Sequence, residues 1–257
     1  MKLTILIFIT LTTFLLGCSK SDETILHFTF HKPTINKTPV TPPNTSKAIL
    51  VDATRDGGVW WYPQSSATGF SSTNDHQGKN LAYYLRGFGY QVDELPRGTV
   101  ITKEILSKYS NIIRAGGFGN YTQQEIAAYE AFLSVSSSLL LLQDHLTNFT
   151  NDQLSVHLGV MFEGAQAGTI TSFVPHPVTA GVTSFPYMMG SVIRNPDASK
   201  ITVVGYLQET TTGESSINAV MGILNHPTSK IFFIGDVNGL ETIAQPFTSN
   251  LVNWLFR

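Results

Sequence analysis

Short apolar runs alternate with helix-like segments along most of this chain, and that alternation limits the fold more than any other feature. Ala48-Ile49-Leu50-Val51 is apolar throughout and ends at Asp52, as expected of a strand buried on both faces. Leu81, Tyr84, Leu85 and Phe88 then recur at helical spacing, with Asn74 or Asp75 as the cap and Gly87 and Gly89 as terminators. Tyr90–Leu95 reads as a second strand, Thr102 caps a short helix over Lys103–Lys108, and Tyr109–Arg114 reads as a third strand that breaks at Gly116-Gly117. Thr122-Gln123-Gln124-Glu125 is a capping box, opening a helix that gathers Ile126, Tyr129, Phe132 and Leu133 on one face. Ser138–Leu142 is a fourth strand. Residues 146–200 are less regular, with a helix expected near Asp152–Leu158. Ile201–Leu207, Ile217–Leu224 and Lys230–Ile234 read as three more strands, and a helix over Phe247–Phe256 closes the chain. Strand then helix, repeated with short apolar strands, gives an α/β fold with a mostly parallel sheet. The pair 201–207 and 217–224 adds a late antiparallel segment.

The amino-terminal part is built differently. Lys2 precedes an apolar or hydroxylic run to Leu16, which is too short to span a bilayer comfortably. Gly17 and the chain's single cysteine, Cys18, follow. Leu15-Leu16-Gly17-Cys18 resembles the lipobox of bacterial lipoproteins. The resemblance implies a signal peptide over 1–17, cleavage before Cys18, and lipid (palmitate among its acyl chains) on that residue. Each buried methylene would contribute about 0.8 kcal/mol of anchoring. Residues 18–46 are polar and then rich in Pro, Thr and Asn, a composition suited to a tether. The acids Asp22 and Glu23 resemble, with Lys20 interrupting, the surface-export signals of some bacterial lipoproteins. Residues 47–257 then make one domain of ordinary size. The expected location is the bacterial cell envelope, lipid-anchored at the outer membrane and facing the periplasm or the surface.

Sixteen basic and eighteen acidic residues give a net charge of −2, with no basic stripe, so nucleic acid is not an expected partner. With Cys18 committed to lipid, no thiol is left in the domain for a disulfide, a zinc-thiolate site or catalysis. His27 and His31 lie in the tether, and the remaining histidines lack ligand spacing, so neither a metal nor another cofactor is expected.

Four segments in order resemble the class I glutamine-amidotransferase-like superfamily, in its ThuA-like branches. They are Ile112–Gly117 (IIRAGG), Leu139–His145 (LLLLQDH), His176–Val182 (HPVTAGV), and Lys230–Asp236 (KIFFIGD) with the closing helix. The resemblance covers most of residues 47–257 and implies a flavodoxin-like three-layer fold. It also implies a nucleophilic cysteine at the turn after the fourth strand. Here that turn reads Leu142-Gln143-Asp144-His145. Glutaminase chemistry needs the thiolate for its covalent intermediate, so that activity is excluded.

Ligands of open parallel sheets bind beyond the carboxyl ends of the strands. That rule gathers Asp52, Arg55, Asp56, Trp60 and Trp61 after the first strand, and His76 at the first helix. It adds Gly116 and Gly117 after the third strand, Asp144 and His145 after the fourth, and Asp236 and Asn238 after the last. The glycines would present backbone N–H groups, and Trp60 and Trp61 could stack on a sugar ring. Each has a plainer role: Asp52 fixing a turn, Arg55 pairing with Asp56, the tryptophans covering the sheet edge, Asp144 capping a helix, the histidines capping or sitting in solvent. The favoured expectation is an anchored, non-catalytic module that binds a glycan, a peptide or an envelope protein. A carbohydrate-directed hydrolase using Asp52, Asp56, Asp144 or Asp236 is a second reading, and a purely structural envelope component a third.

Overall fold

The computed structural model describes residues 47–55, 78–95, 97–117, 119–146, 153–211 and 214–257. All fall within one compact unit, Asn44–Arg257. Cys18, Asp56, Trp60, Trp61, Asn74, Asp75 and His76 lie outside the described residues. None of the described helices is long and apolar enough to cross a membrane.

The elements are β1 (Ala48–Asp52), α1 (Lys79–Gly87), β2 (Gln91–Leu95), α2 (Lys103–Leu106), β3 (Asn111–Arg114), α3 (Gln123–Leu133), β4 (Ser138–Leu142) and α4 (Gln153–His157). There follow β5 (Phe162–Ile170), β6 (Ser172–Phe173), β7 (Phe185–Ile193), β8 (Ile201–Thr211), β9 (Glu214–Leu224), β10 (Lys230–Ile234) and α5 (Phe247–Phe256). The main sheet runs β2-β1-β3-β4-β10-β9-β8-β6. Its first five strands are parallel, and β9, β8 and β6 extend it through antiparallel pairs. The fold is therefore α/β and flavodoxin-like, with an antiparallel addition.

Every residue of β3 and β4 is buried, as continuous apolar strands between two layers require. Ile49 and Val51 face a core made with α1 and α5, through Leu81, Leu85, Leu251 and Leu255. Leu50 faces the opposite core, with Leu106, Tyr129, Phe132 and Leu154 from α2, α3 and α4. Two of the three expected caps form; α1 begins at Lys79 behind Gly78, which has no side chain to cap it, and not behind Asn74 or Asp75. Thr122 accepts from the Glu125 N–H while the Glu125 carboxylate accepts from the Thr122 N–H, and Thr102 accepts from Ile105. Gly89, at φ 82°, makes the left-handed turn between α1 and β2 that a side chain would resist.

Residues 146–200 are more regular than expected. Strands β5 and β7 pair antiparallel into a separate ribbon with two irregularities of register, one beside Gly164 at φ 72°. The ribbon is fastened to the parallel sheet. Ser191 N–H donates to the Gly235 carbonyl at 2.8 Å, and Met188 N–H donates to the Asp236 carboxylate at 2.6 Å. A Cβ at Gly190 would lie 2.5 Å from the Gly235 carbonyl, so the two backbones approach too closely for any side chain.

Candidate functional site

The strand order reverses between β1 and β3, which places the expected ligand crevice beyond Asp52 and Arg114. That position is filled by a polar network. Asp52 is fully buried, and one carboxylate oxygen accepts from the Thr54 N–H at 3.0 Å and hydroxyl at 2.6 Å. The other accepts the Tyr121 hydroxyl at 2.7 Å and the Tyr129 hydroxyl at 2.6 Å. Burial, and then the adjacent Asp52 charge, push the Tyr129 phenol well above its ordinary range. This tyrosine therefore stays protonated and donating. Four donors on one carboxyl group compensate its burial and take up the lone-pair positions of both oxygens.

Asp56 lies outside the described residues, and the described partners of Arg55 are on other elements. The Arg55 guanidinium pairs with Glu125 at 2.8 Å, bonds the Thr99 and Asn120 carbonyls, and lies 5.3 Å over the Tyr121 ring. Burial alone would raise the Glu125 pKa. The N–H groups of Thr122 and Ile101, with Arg55, outweigh it and hold the carboxyl below its ordinary value. The planar guanidinium suits this three-way fixing, because its donors fan out in one plane.

The Gly116-Gly117 turn is packed inward. Arg114, fully buried, donates to the Gly116 carbonyl at 2.9 Å and to the Ser155 hydroxyl at 3.1 Å. Gln143 stands at the position of the expected nucleophile. It is fully buried, with its amide N–H 3.4 Å from the Gly117 carbonyl, and its Oε1 has no hydrogen-bond partner among the described residues. A methyl group on Gly117 would fall on the Gln143 amide and within 2.5 Å of Arg114. The glycine is needed for that approach. The carbonyls of this turn are taken up by Arg114 and Gln143.

A second set of acids ends the neighbouring strands β4 and β10. Asp144 accepts from its neighbour's N–H at 2.7 Å and lies 3.1 Å from the His145 ring. It does not cap a helix: the next residue but one, Leu146, bridges Gly164 of β5, and α4 begins only at Gln153. Asp236 is fully buried and accepts from the N–H groups of Met188 and Asn238. Burial raises its pKa to about 6, those backbone donors oppose the rise, and the Asp144 charge adds to it. The Tyr187 phenol, bonded to the Ser191 carbonyl, is raised by burial and then by Asp236 and Asp144. Asp144 and Asp236 thus share one electrostatic neighbourhood, with Tyr187 and the half-exposed His145 ring at its border. His176 is structural: it accepts from Val178 N–H and opens the short turn Pro177–Thr179.

Sequence reasoning brought together the strand ends but missed Arg114, Glu125, Tyr121, Tyr129 and Tyr187. Arg114 carried a signal, since a cation inside a parallel strand between two layers needs a buried partner. Among the described residues no three His, Cys, Asp or Glu side chains gather as a metal ion would require.

No protein-family model matches the chain, and no curated protein matches it in sequence. Solved structures share its fold. The mmIFT52 N-terminal domain is similar at TM-score 0.59 and 15% identity, over 80% of this chain and 94% of that one. The cytoplasmic protein STM1381 from Salmonella typhimurium LT2 gives 0.56 and 13%, over 81% and 99%. A ThuA-like protein from Bacteroides uniformis gives 0.51 and 15%, over 85% and 93%. At these identities the likeness establishes a ThuA-like fold and stops there.

Proposed function

We propose that this chain is an envelope-anchored lipoprotein whose domain is a recognition module, binding a glycan, peptide or protein partner without turning it over. The observation that carries the reading is the state of the elbow and the switch point. Where the fold's enzymes need a free nucleophile and an open crevice, Gln143 is buried and Asp52 is saturated by four hydrogen bonds. The sequence between β1 and α1 carries Trp60 and Trp61, residue types suited to stacking on a sugar ring. The full chain, purified and presented to glycan arrays and envelope extracts, should retain a partner that Trp60→Ala with Trp61→Ala releases. Retention of nothing, or retention indifferent to both tryptophans, counts against it.

One observation favours a hydrolase instead: Asp144 and Asp236 end adjacent strands, and the second titrates near pH 6, where a general acid would be useful. Glycosidic cleavage would need both carboxyls to reach the substrate, roughly 5–10 Å apart. Full burial of Asp236 and its backbone donors, Met188, Asn238 and Gly239, argue against that reach. Turnover of aryl glycosides that is abolished by Asp144→Asn would establish the second reading over the first.

A further inference from the structure

We propose that the hollow at the amino ends of the parallel strands is a binding site for phosphate or a phosphate ester. It lies at the opposite end of the sheet from Asp52 and Asp144, and has a volume of about 440 Å³. Among the described residues, three cations, Lys47, Lys230 and Arg257, line it, and no aspartate or glutamate does. In a chain of net charge −2 this is a local excess of positive charge, which favours anions.

Each cation lies over an aromatic ring: Lys47 over Tyr90, Lys230 over Trp254 and Arg257 over Phe88. Tyr90 donates its hydroxyl to the Phe256 carbonyl at 3.0 Å, and the Lys47 ammonium lies 5.8 Å from its ring centre. Arg257 lies close enough to oppose the rise that burial imposes on the Tyr90 phenol. Lys230 donates to the Trp254 and Arg257 carbonyls at 2.7 and 3.2 Å. Two of its three ammonium hydrogens are thereby used and one remains for a ligand. Lysine ammoniums and a guanidinium fork are the donors that recognise phosphate oxygens.

The neutral groups of the wall fit the same ligand. Ser137 and Ser138 spend their hydroxyls on the Phe132 and Leu255 carbonyls, which fixes the turn before β4. Ser110 and Ser136 are exposed beside them, each with a hydroxyl able to donate to an anionic oxygen. The space exceeds what a bare phosphate needs and suits a phosphate carried on a small polyol.

The test is calorimetric titration of the full chain with inorganic phosphate and, separately, with glycerol phosphate, at low ionic strength. Both chloride and the double variant Lys47→Gln with Arg257→Gln serve as comparisons; both side chains are exposed, Lys47 over the Tyr90 ring and Arg257 beside the Tyr90 hydroxyl and over the Phe88 ring. Saturable binding that the double variant weakens about ten-fold or more, with an unchanged unfolding midpoint in the absence of ligand, supports the site. Equal affinity for the two probes identifies a free phosphate as the source; preference for glycerol phosphate identifies an ester such as a lipid headgroup. Absence of saturable binding to both probes, or binding that the double variant leaves intact, overturns the proposal. These outcomes are independent of the tryptophan-dependent retention that tests the recognition reading.

Discussion

The carboxyl ends of β1 and β3 and those of β4 and β10 are two acidic corners of one sheet, and they handle charge differently. At the first, Asp52 receives four donors and the neighbouring Arg114 and Arg55 are bonded to carbonyls, Ser155 and Glu125. At the second, Asp236 receives backbone donors and still has its pKa raised to about 6. Both acids have donors on both oxygens, but at Asp52 two of the four are tyrosine hydroxyls, whereas Asp236 has backbone N–H donors. Burial first, and then the Asp144 charge, outweigh those N–H groups and raise the Asp236 pKa. The first corner is a rivet; the second takes up a proton below about pH 6.

The largest effect should come from breaking the rivet. Asp52→Ala strands the Tyr121 and Tyr129 hydroxyls and the Thr54 N–H in the interior, and should cost about 3–5 kcal/mol in chemical denaturation. A loss under 1 kcal/mol would mean that water reaches the corner. The second corner should show itself through pH. Because the native Asp236 pKa lies above its unfolded value, the folded chain keeps a proton between pH 4 and 6 that the unfolded chain gives up. Its contribution to stability is therefore present below pH 4 and lost as pH rises to about 6, by up to roughly 3 kcal/mol. Asp236→Asn should flatten that part of the pH–stability curve relative to the parent; an identical slope would place the proton elsewhere.

Gly117→Ala tests the packing between the corners. Its methyl group would displace Gln143 and Arg114, for an expected loss of about 1–3 kcal/mol. The smallest change in stability, within about 1 kcal/mol, is expected for Asp144→Asn, whose side chain is partly exposed and, among the described residues, is hydrogen-bonded to its neighbour His145. It should nonetheless lower the Asp236 pKa, seen by carboxyl NMR titration. An unmoved titration would show that the two acids do not sense each other.

Much of the fold was readable because the inner strands leave no choice of face. AILVD, NIIR, SLLLL and KIFFI are apolar on both sides, or nearly so, and fall where expected. The β5–β7 ribbon was not, because Phe162–Ile170 (FEGAQAGTI) is glycine-interrupted, half exposed and bent by irregular register, so neither strand alternation nor a helical period survives. The strands β8 and β9 run longer than their apolar parts, to Thr211 and from Glu214, since the backbone pairing continues where the apolar sequence pattern ends. At the site, residue positions were readable and their bonds were not. Asp52 meets Tyr121 and Tyr129 across 69 and 77 residues, and Arg55 meets Glu125 across 70. Local spacing pairs Arg55 with Asp56 and gives Tyr129 only an apolar role. The polar half of each tyrosine acts at a distance that sequence spacing does not encode.

The backbone weld between the ribbon and β10 bears on how the domain comes apart. Ser191 and Met188 are bonded to the residues that continue the central strand, and Gly190 and Gly235 lie against their partners with no room for a slip plane. A flap hinged at that seam would have to tear main-chain bonds before it moved. The ribbon should therefore exchange its Ser191 amide hydrogen only when the whole sheet melts, and act as a fixed wall around which any visitor to the β4–β10 corner must travel.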